Sequence, residues 1–512
     1  MKPQGLFVLT ALLLALGISA AQTPPNRAVV IPKTWDDAEI ANHEIPLADP
    51  IGSPKHVSSD YYYRIPVRPI YKGYPVYAPG HEPPGYMEWL KRQEPVIVWD
   101  DHGHAPPLRT EADWVRAGEL VFDAPLGSDT NIVVEDVRNP AWLQKTGAPV
   151  AKDGILPSFQ YIVQRKGVVE LGNTSCAFCH TRVMPDGTIL KGAQGNFPVQ
   201  RAVAFRWRAG AAAAPDKEAY LAQLRARLKQ LHAAPYLRPD PEARIDSMSI
   251  DEIASVFEAV PPSTNPRQRG NTFLAIQVPD LIGLKERRYL DRTGLEVHRS
   301  IGDLMRYAAM NQGADSLASY AGFVPADSPR FQRLPDPEKV RRYSDEQLYA
   351  LALYVYSLEP PPNPNALDPL GARGQQVFER ERCGTCHTPP QYTNNKLTPA
   401  IGFQVPEAHR KAFDILPVSV GTDSTLALRT RRGTGYYKVP SLKGLWYRGM
   451  FPHDGSCATL EDWFDPARLR DDYVPTGFKG YGVERRAVPG HEFGLGLSPE
   501  DKRALIAFLK SL

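Results

Sequence analysis

Two short runs, Cys176-Ala177-Phe178-Cys179-His180 and Cys383-Gly384-Thr385-Cys386-His387, repeat one pattern of two thiols followed directly by an imidazole. The chain has only 5 Cys and 12 His in 512 residues, so chance gives one such run in about a thousand chains and two in about a million. A reactive dithiol or a disulfide leaves the adjacent His unexplained in both runs. One zinc ion needs four ligands brought close together, and the separation of about two hundred residues between the runs disfavours a shared site. Covalent c-type haem uses every residue: two thiols bond the porphyrin vinyls, and the next residue, His, reaches the iron. The expected cofactors are therefore two haems, on Cys176, Cys179 and His180 and on Cys383, Cys386 and His387.

Haem is attached to such motifs outside the cytoplasm, and the N-terminus agrees. Lys2, the apolar run Leu6 to Ile18 and the sequence Ser19-Ala20-Ala21 form a secretory signal peptide, residues 1–21, with cleavage expected near Ala21. No Cys follows that run, and no later stretch has the roughly 18 apolar residues of a membrane span. A periplasmic or secreted protein is expected. The net charge of +3 gives no bulk reason for a nucleic-acid or acidic-membrane partner.

The remainder reads as two unequal copies of one unit. SDEQLYALALYVYSL (344–358) and SPEDKRALIAFLKSL (498–512) align without a gap, each with a Ser cap and acidic residues in its first turn. Upstream, Gly118 to Phe122 and Gly374 to Phe378 share G-x-x-V-F, the expected end of an opening helix. The proline-rich stretch 359–369 is a linker. The expected fold is mainly α: two cytochrome c-like helical domains, 111–358 (expanded) and 370–512, with long irregular segments suited to 50 prolines. Residues 22–110, rich in Pro and Tyr, read as an extended N-terminal arm packed over the domains. A leucine stripe at 221, 224, 228 and 231 marks one further helix, with His232 at its end.

The second axial ligand decides between electron transfer and chemistry at each iron. In the second half the candidates are His409, Met450, His453 and His491. His491 stands seven residues before the closing helix, and its counterpart in the first half is Pro337. From Asn311 to Tyr343 there is neither His nor Met, so the first haem lacks the equivalent ligand. His298, Met305 and Met310 are the alternatives there. His298 and Arg299 are also candidate distal acid and base groups, while the two methionines read as helix core.

These features together resemble the bacterial di-haem cytochrome c peroxidase superfamily. The resemblance rests on the paired motifs, the closing FLKSL and the stretch KVPSLKGLWYRGMFPHDGSCATLEDWF (438–464), with Pro440, Ser441, Leu442, Lys443, His453, Asp454, Gly455, Ala458, Thr459, Leu460 and Glu461 at the family's positions. Thr459 and Asp462 also form a capping box. The family's second ligand for the C-terminal haem lies between this stretch and the last helix, which implies His491. A His there, the long first half and GHEFG are closer to the di-haem rubber oxygenases. The regions 22–110 and 200–340 carry no family motif.

The resemblance implies an enzyme. Peroxide or dioxygen would bind at the N-terminal haem, while the C-terminal haem handles electrons. A peroxidase needs a distal acid/base; an oxygenase needs an apolar pocket for a hydrophobic substrate, with Phe197, Trp207, Phe273 and Tyr289 available as lining, although plain core is the commoner use of such residues. A calcium ion is compatible with the resemblance but is specified by no residue pattern. The rival is a di-haem electron-transfer cytochrome with both irons six-coordinate and a redox protein partner. Cys457 reads as a buried inert thiol. The basic runs LKERRYLDR and RTRRGTGYYK read by default as solvated surface, with haem propionates or an acidic partner as alternatives.

Overall fold

The closing helices begin where the sequence places their caps. In the computed structural model, which describes residues 29–126, 132–267, 271–312, 317–325, 334 and 336–512, Ser344 caps Asp345–Ser357 by accepting from the Gln347 amide, and Ser498 caps Pro499–Ser511 by accepting from that of Asp501. Each packs against its opening helix, Glu111–Asp123 in the first half and Pro369–Arg380 in the second. The two crossings share one device. A Cβ on Gly118 would stand 2.0 Å from the Ala350 carbonyl oxygen, and one on Gly374 would stand 1.9 Å from that of Ala504. Only a hydrogen at these positions lets the backbones touch. Ala350 and Ala504 are the residues that the internal alignment pairs.

Helices frame both motifs, but seven small sheets lie among the described residues, so the fold is more mixed than the mainly α architecture expected. Much of the strand content enters with the long insertion before Cys176. There Ile155–Arg165 pairs antiparallel with Val168–Gly172 on one side and with Gly73–Tyr77 on the other. Tyr74, Val76, Tyr161 and Val163 turn into a core with Trp142, Phe159, Phe178 and Phe197. Phe178 belongs to the first motif, so this sheet anchors it. The arm is accordingly woven in rather than laid over: it supplies the edge strand Gly73–Tyr77, where Pro75 is tolerated, and Pro54–His56 pairs with Ala318–Tyr320.

From Pro32 to Leu512 the chain clusters as one compact unit. Leu221, Leu224 and Leu228 are buried, and His232 at the end of Lys217–His232 is buried as well. Trp207 packs edge-to-face on Phe257 at 4.6 Å in the same core. The signal-peptide segment 1–21 lies outside the described residues. Among those described, no helix is long and apolar enough to cross a membrane.

Candidate haem sites

The first motif forms one short turn, Cys176–Cys179, capped by the Ser175 hydroxyl, which accepts from the Phe178 amide. His180 follows as the residue that leaves the turn. Its Nδ1 donates to the Pro279 carbonyl at 3.0 Å, fixing the ring and the tautomer so that Nε2 is the nitrogen left to bind a metal. Burial pushes the His180 pKa down to about 4, so the ring is held neutral, as a metal ligand must be. Gly195 lies against this turn: its amide donates to the Cys179 carbonyl at 3.1 Å, and a Cβ there would approach that oxygen to 2.1 Å.

The second motif repeats the logic. Cys383–Thr385 is a 3-10 turn, and His387 Nδ1 lies 3.2 Å from the carbonyls of both Tyr392 and Pro440. Opposite His387 stands His491, with ring centres 6.3 Å apart and planes inclined at 59°. Two imidazole–metal bonds of about 2 Å each, added to the half-widths of two rings, come to roughly 6 Å, so the pair fits one iron between them. Burial and the neighbouring His387 push the His491 pKa down to about 4.

A buried arginine holds His491 in place. Arg468 is fully enclosed and donates to the carbonyls of Trp463 (2.8 Å), Val488 (2.6 Å), Gly490 (2.9 Å) and His491 (3.0 Å), while its guanidinium lies 4.1 Å from the centre of the Trp463 ring. The His491 amide donates to the Val420 carbonyl at 2.6 Å. His491 itself sits at φ 47°, a left-handed conformation that His adopts at a cost. Nothing in DPARLRDD distinguishes Arg468 from its charged neighbours, so sequence reading missed it.

The other candidates are placed elsewhere. His409 Nδ1 meets the Tyr436 hydroxyl at 2.9 Å, and His453 stacks on Tyr437 at 4.3 Å. Neither faces His387. The stretch carrying Met450 and His453 instead reaches the first motif's surroundings: Gln194 accepts from the Gly449 amide at 2.9 Å, and Gln277 donates to the Met450 carbonyl at 2.7 Å. His298 has both nitrogens engaged, Nδ1 donating to the Arg287 carbonyl (2.7 Å) and Nε2 accepting from the Tyr356 hydroxyl (2.6 Å). Arg299 pairs with Asp303 at 3.0 Å. Met305 and Met310 are buried on the helix Ile301–Gln312. Phe197 and Tyr289 are core, Phe273 is half-buried under Arg244, and Cys457 is buried, its thiol pushed up to about 12 by burial. Among the described residues no group of three or more His, Cys, Asp or Glu converges as a metal site.

The basic runs depart most from expectation. Arg431 and Arg432 are fully buried, Arg432 between Glu44 (2.5 Å) and Glu296 (2.6 Å). Arg287, Arg292 and Lys438, all half-buried, line a cleft together with Arg448. Arg288, paired with Asp414, and Lys285 are exposed, as the surface reading has it.

No family model matches the chain, and no curated protein matches it. Among solved structures it is similar to Kuenenia stuttgartiensis hydrazine synthase (15% identity over 58% of this chain and 89% of that one, TM-score 0.29) and to a MauG-like protein associated with microbial copper homeostasis (17% identity, 33% and 56%, TM-score 0.22). Likeness at these scores assigns neither fold nor function.

Proposed function

We propose that the chain is a periplasmic di-haem c-type oxidoreductase. Cys176, Cys179 and His180 hold an N-terminal haem that takes peroxide or dioxygen, and Cys383, Cys386, His387 and His491 hold a C-terminal haem that transfers electrons. The observation that carries this reading is an asymmetry between the two halves seven residues before the closing helix. His387 is faced by His491, whereas the corresponding position of the first half is Pro337, which opens the 3-10 turn Pro337–Lys339.

When bound, the haems supply the redox chemistry and the site for the oxidant. The chain's own groups do the rest. The carbonyls of Pro279, Tyr392 and Pro440 orient the proximal rings and raise their basicity. Burial keeps His180, His387 and His491 neutral. Arg468 fixes the loop that brings His491 to the iron. His298 ties the Arg287 carbonyl to the Tyr356 hydroxyl in this structure.

A pyridine haemochromogen assay of the purified protein should give two c-type haems per chain. Electron paramagnetic resonance of the oxidised protein should then show one low-spin centre and one high-spin centre, the latter changing with peroxide or, after reduction, with dioxygen. Two low-spin centres that ignore both oxidants would replace the enzyme by a carrier cytochrome.

A further inference from the structure

Four cations, two from 287–292 and two from 438–448, converge on one narrow cleft between the supports of the two proximal histidines. Arg287, Arg292, Lys438 and Arg448 line it, and Asp280 is the one acid among its lining residues. The Arg287 guanidinium donates to the carbonyls of Asp280 and Ile282, that of Arg292 to Gln277 and Val278 (both 3.2 Å), that of Arg448 to Ser441 (2.9 Å), and Lys438 Nζ to Tyr289 (3.3 Å). Asp280 is itself occupied by the Tyr447 hydroxyl at 2.8 Å and lies 3.9 Å from Arg448 Nε. That Nε is buried without a hydrogen-bond partner.

The segments that hold these cations also hold the haem ligands. Pro279, which accepts from His180, lies between the carbonyls that grip Arg292 and Asp280, and Pro440, which accepts from His387, lies between Lys438 and Ser441. Like charges held close together and partly withdrawn from water repel one another and cost desolvation energy. Burial, helped by Arg448 and Arg287, pushes the Arg292 pKa down to about 9, and burial with Arg287 and Arg292 pushes that of Lys438 well down. Such a cluster calls for anionic charge. The space left among the side chains is close to that of one water, the size of a single carboxylate oxygen.

We propose that Arg287, Arg292, Lys438 and Arg448 form a carboxylate cradle that seats haem propionates between the two motifs and couples the two haems electrostatically. This rests on the haem reading above. A cationic cradle also leaves no place for a calcium ion at this point of the fold, since a divalent cation would meet four positive side chains.

The test uses holoprotein. Lys438→Met and, separately, Arg292→Gln are compared with Lys217→Met, an exposed lysine on another helix. Haemochromogen content is measured first: a wild-type protein without haem would sink the functional reading itself. With two haems present, spectroelectrochemical titration should show a lower midpoint potential in each cradle variant than in the control, because loss of a nearby positive charge favours the oxidised iron. Resonance Raman spectra should show the propionate bending band displaced. Should Arg292→Gln fail to fold, Lys438→Met alone decides. Unchanged potentials and an unchanged propionate band in Lys438→Met would overturn the proposal. So would a wild-type potential that follows added chloride or phosphate, since the cradle would then hold a free inorganic anion.

Discussion

His387 and His491 face one another with ring centres 6.3 Å apart, although 103 positions and several elements separate them in the chain. The closing loop, held by Arg468 and by the Val420 carbonyl, brings them together, so on the di-haem reading the ligation of the second haem reports on that loop. His491→Ala should convert the low-spin signal of one haem to high spin and leave the other unchanged. His491→Met should keep that haem low-spin and raise its midpoint potential, because Met/His ligation favours the reduced iron more than His/His. Electron paramagnetic resonance and redox titration of the two variants check this, and a wild-type low-spin signal surviving in His491→Ala would remove His491 from the ligand set.

On the di-haem reading, Arg468 acts on the second haem only through the loop that carries His491. Its guanidinium satisfies four carbonyls that would otherwise be buried without donors. Hydrogen bonds from a charged donor contribute about 1.5–3 kcal/mol each, and leaving acceptors unsatisfied adds to the loss. Arg468→Met should therefore cost about 3 kcal/mol or more, measured by denaturant unfolding, and should weaken the low-spin signal that depends on His491. A variant that loses stability but keeps that signal intact would confine Arg468 to a purely structural role.

Local patterns were the legible part of this chain. The cap residues Ser344 and Ser498, the capping box of Thr459 with Asp462 and the G-x-x-V-F helix ends are each set by neighbours within four residues, and the structure places them as read. The strand Gly73–Tyr77 escaped because Pro75 reads as a breaker, and only its edge position, beside Ile155–Arg165, makes it tolerable. Burial of charge escaped for a different reason. Arg287 and Arg288 are adjacent and chemically identical, yet one lines the cleft and the other meets Asp414 at the surface. The engagement of His298 is likewise decided by Tyr356, 58 residues on, a distance over which no periodicity carries information.

The two glycine crossings predict a paired effect. At Gly118 and Gly374 a Cβ would sit inside the van der Waals radius of a backbone carbonyl oxygen, with Tyr354 and Phe508 side-chain carbons also within 2.7 and 2.8 Å. Backbone cannot yield as a flexible side chain does, so Gly118→Ala and Gly374→Ala should each cost at least the 1–3 kcal/mol typical of an overpacked core. Gly496 has nothing within 4 Å of its Cβ position, so Gly496→Ala should leave stability nearly unchanged. Thermal or denaturant unfolding of the three variants checks the contrast. Equal stabilities would mean that the helix pairs are not in the close contact described.

Acid should loosen the arm before the rest of the fold. Glu44 is buried against Arg432 and His56, and Asp303 against His43, Arg299 and Arg306. Burial alone would raise both carboxyl pKa values, but the Arg432 charge together with the His56 hydrogen bond and the His56 and His43 charges outweighs it for Glu44, and hydrogen bonds from His43, Arg299 and Arg306 outweigh it for Asp303, so both end well below the ordinary range. A carboxylate whose folded pKa lies below its unfolded value of about 4 contributes stability that is present above that value. That contribution is lost progressively as pH falls further toward the folded pKa. Unfolding free energy should thus drop steeply below about pH 4, and proteolysis at that pH should cut within residues 32–110 first. Glu44→Gln removes one of the two titrations, so its stability should fall less steeply with acid than that of the wild type, from a lower starting value at neutral pH. An acid limb of unchanged slope would show that Glu44 is not held as a carboxylate by Arg432.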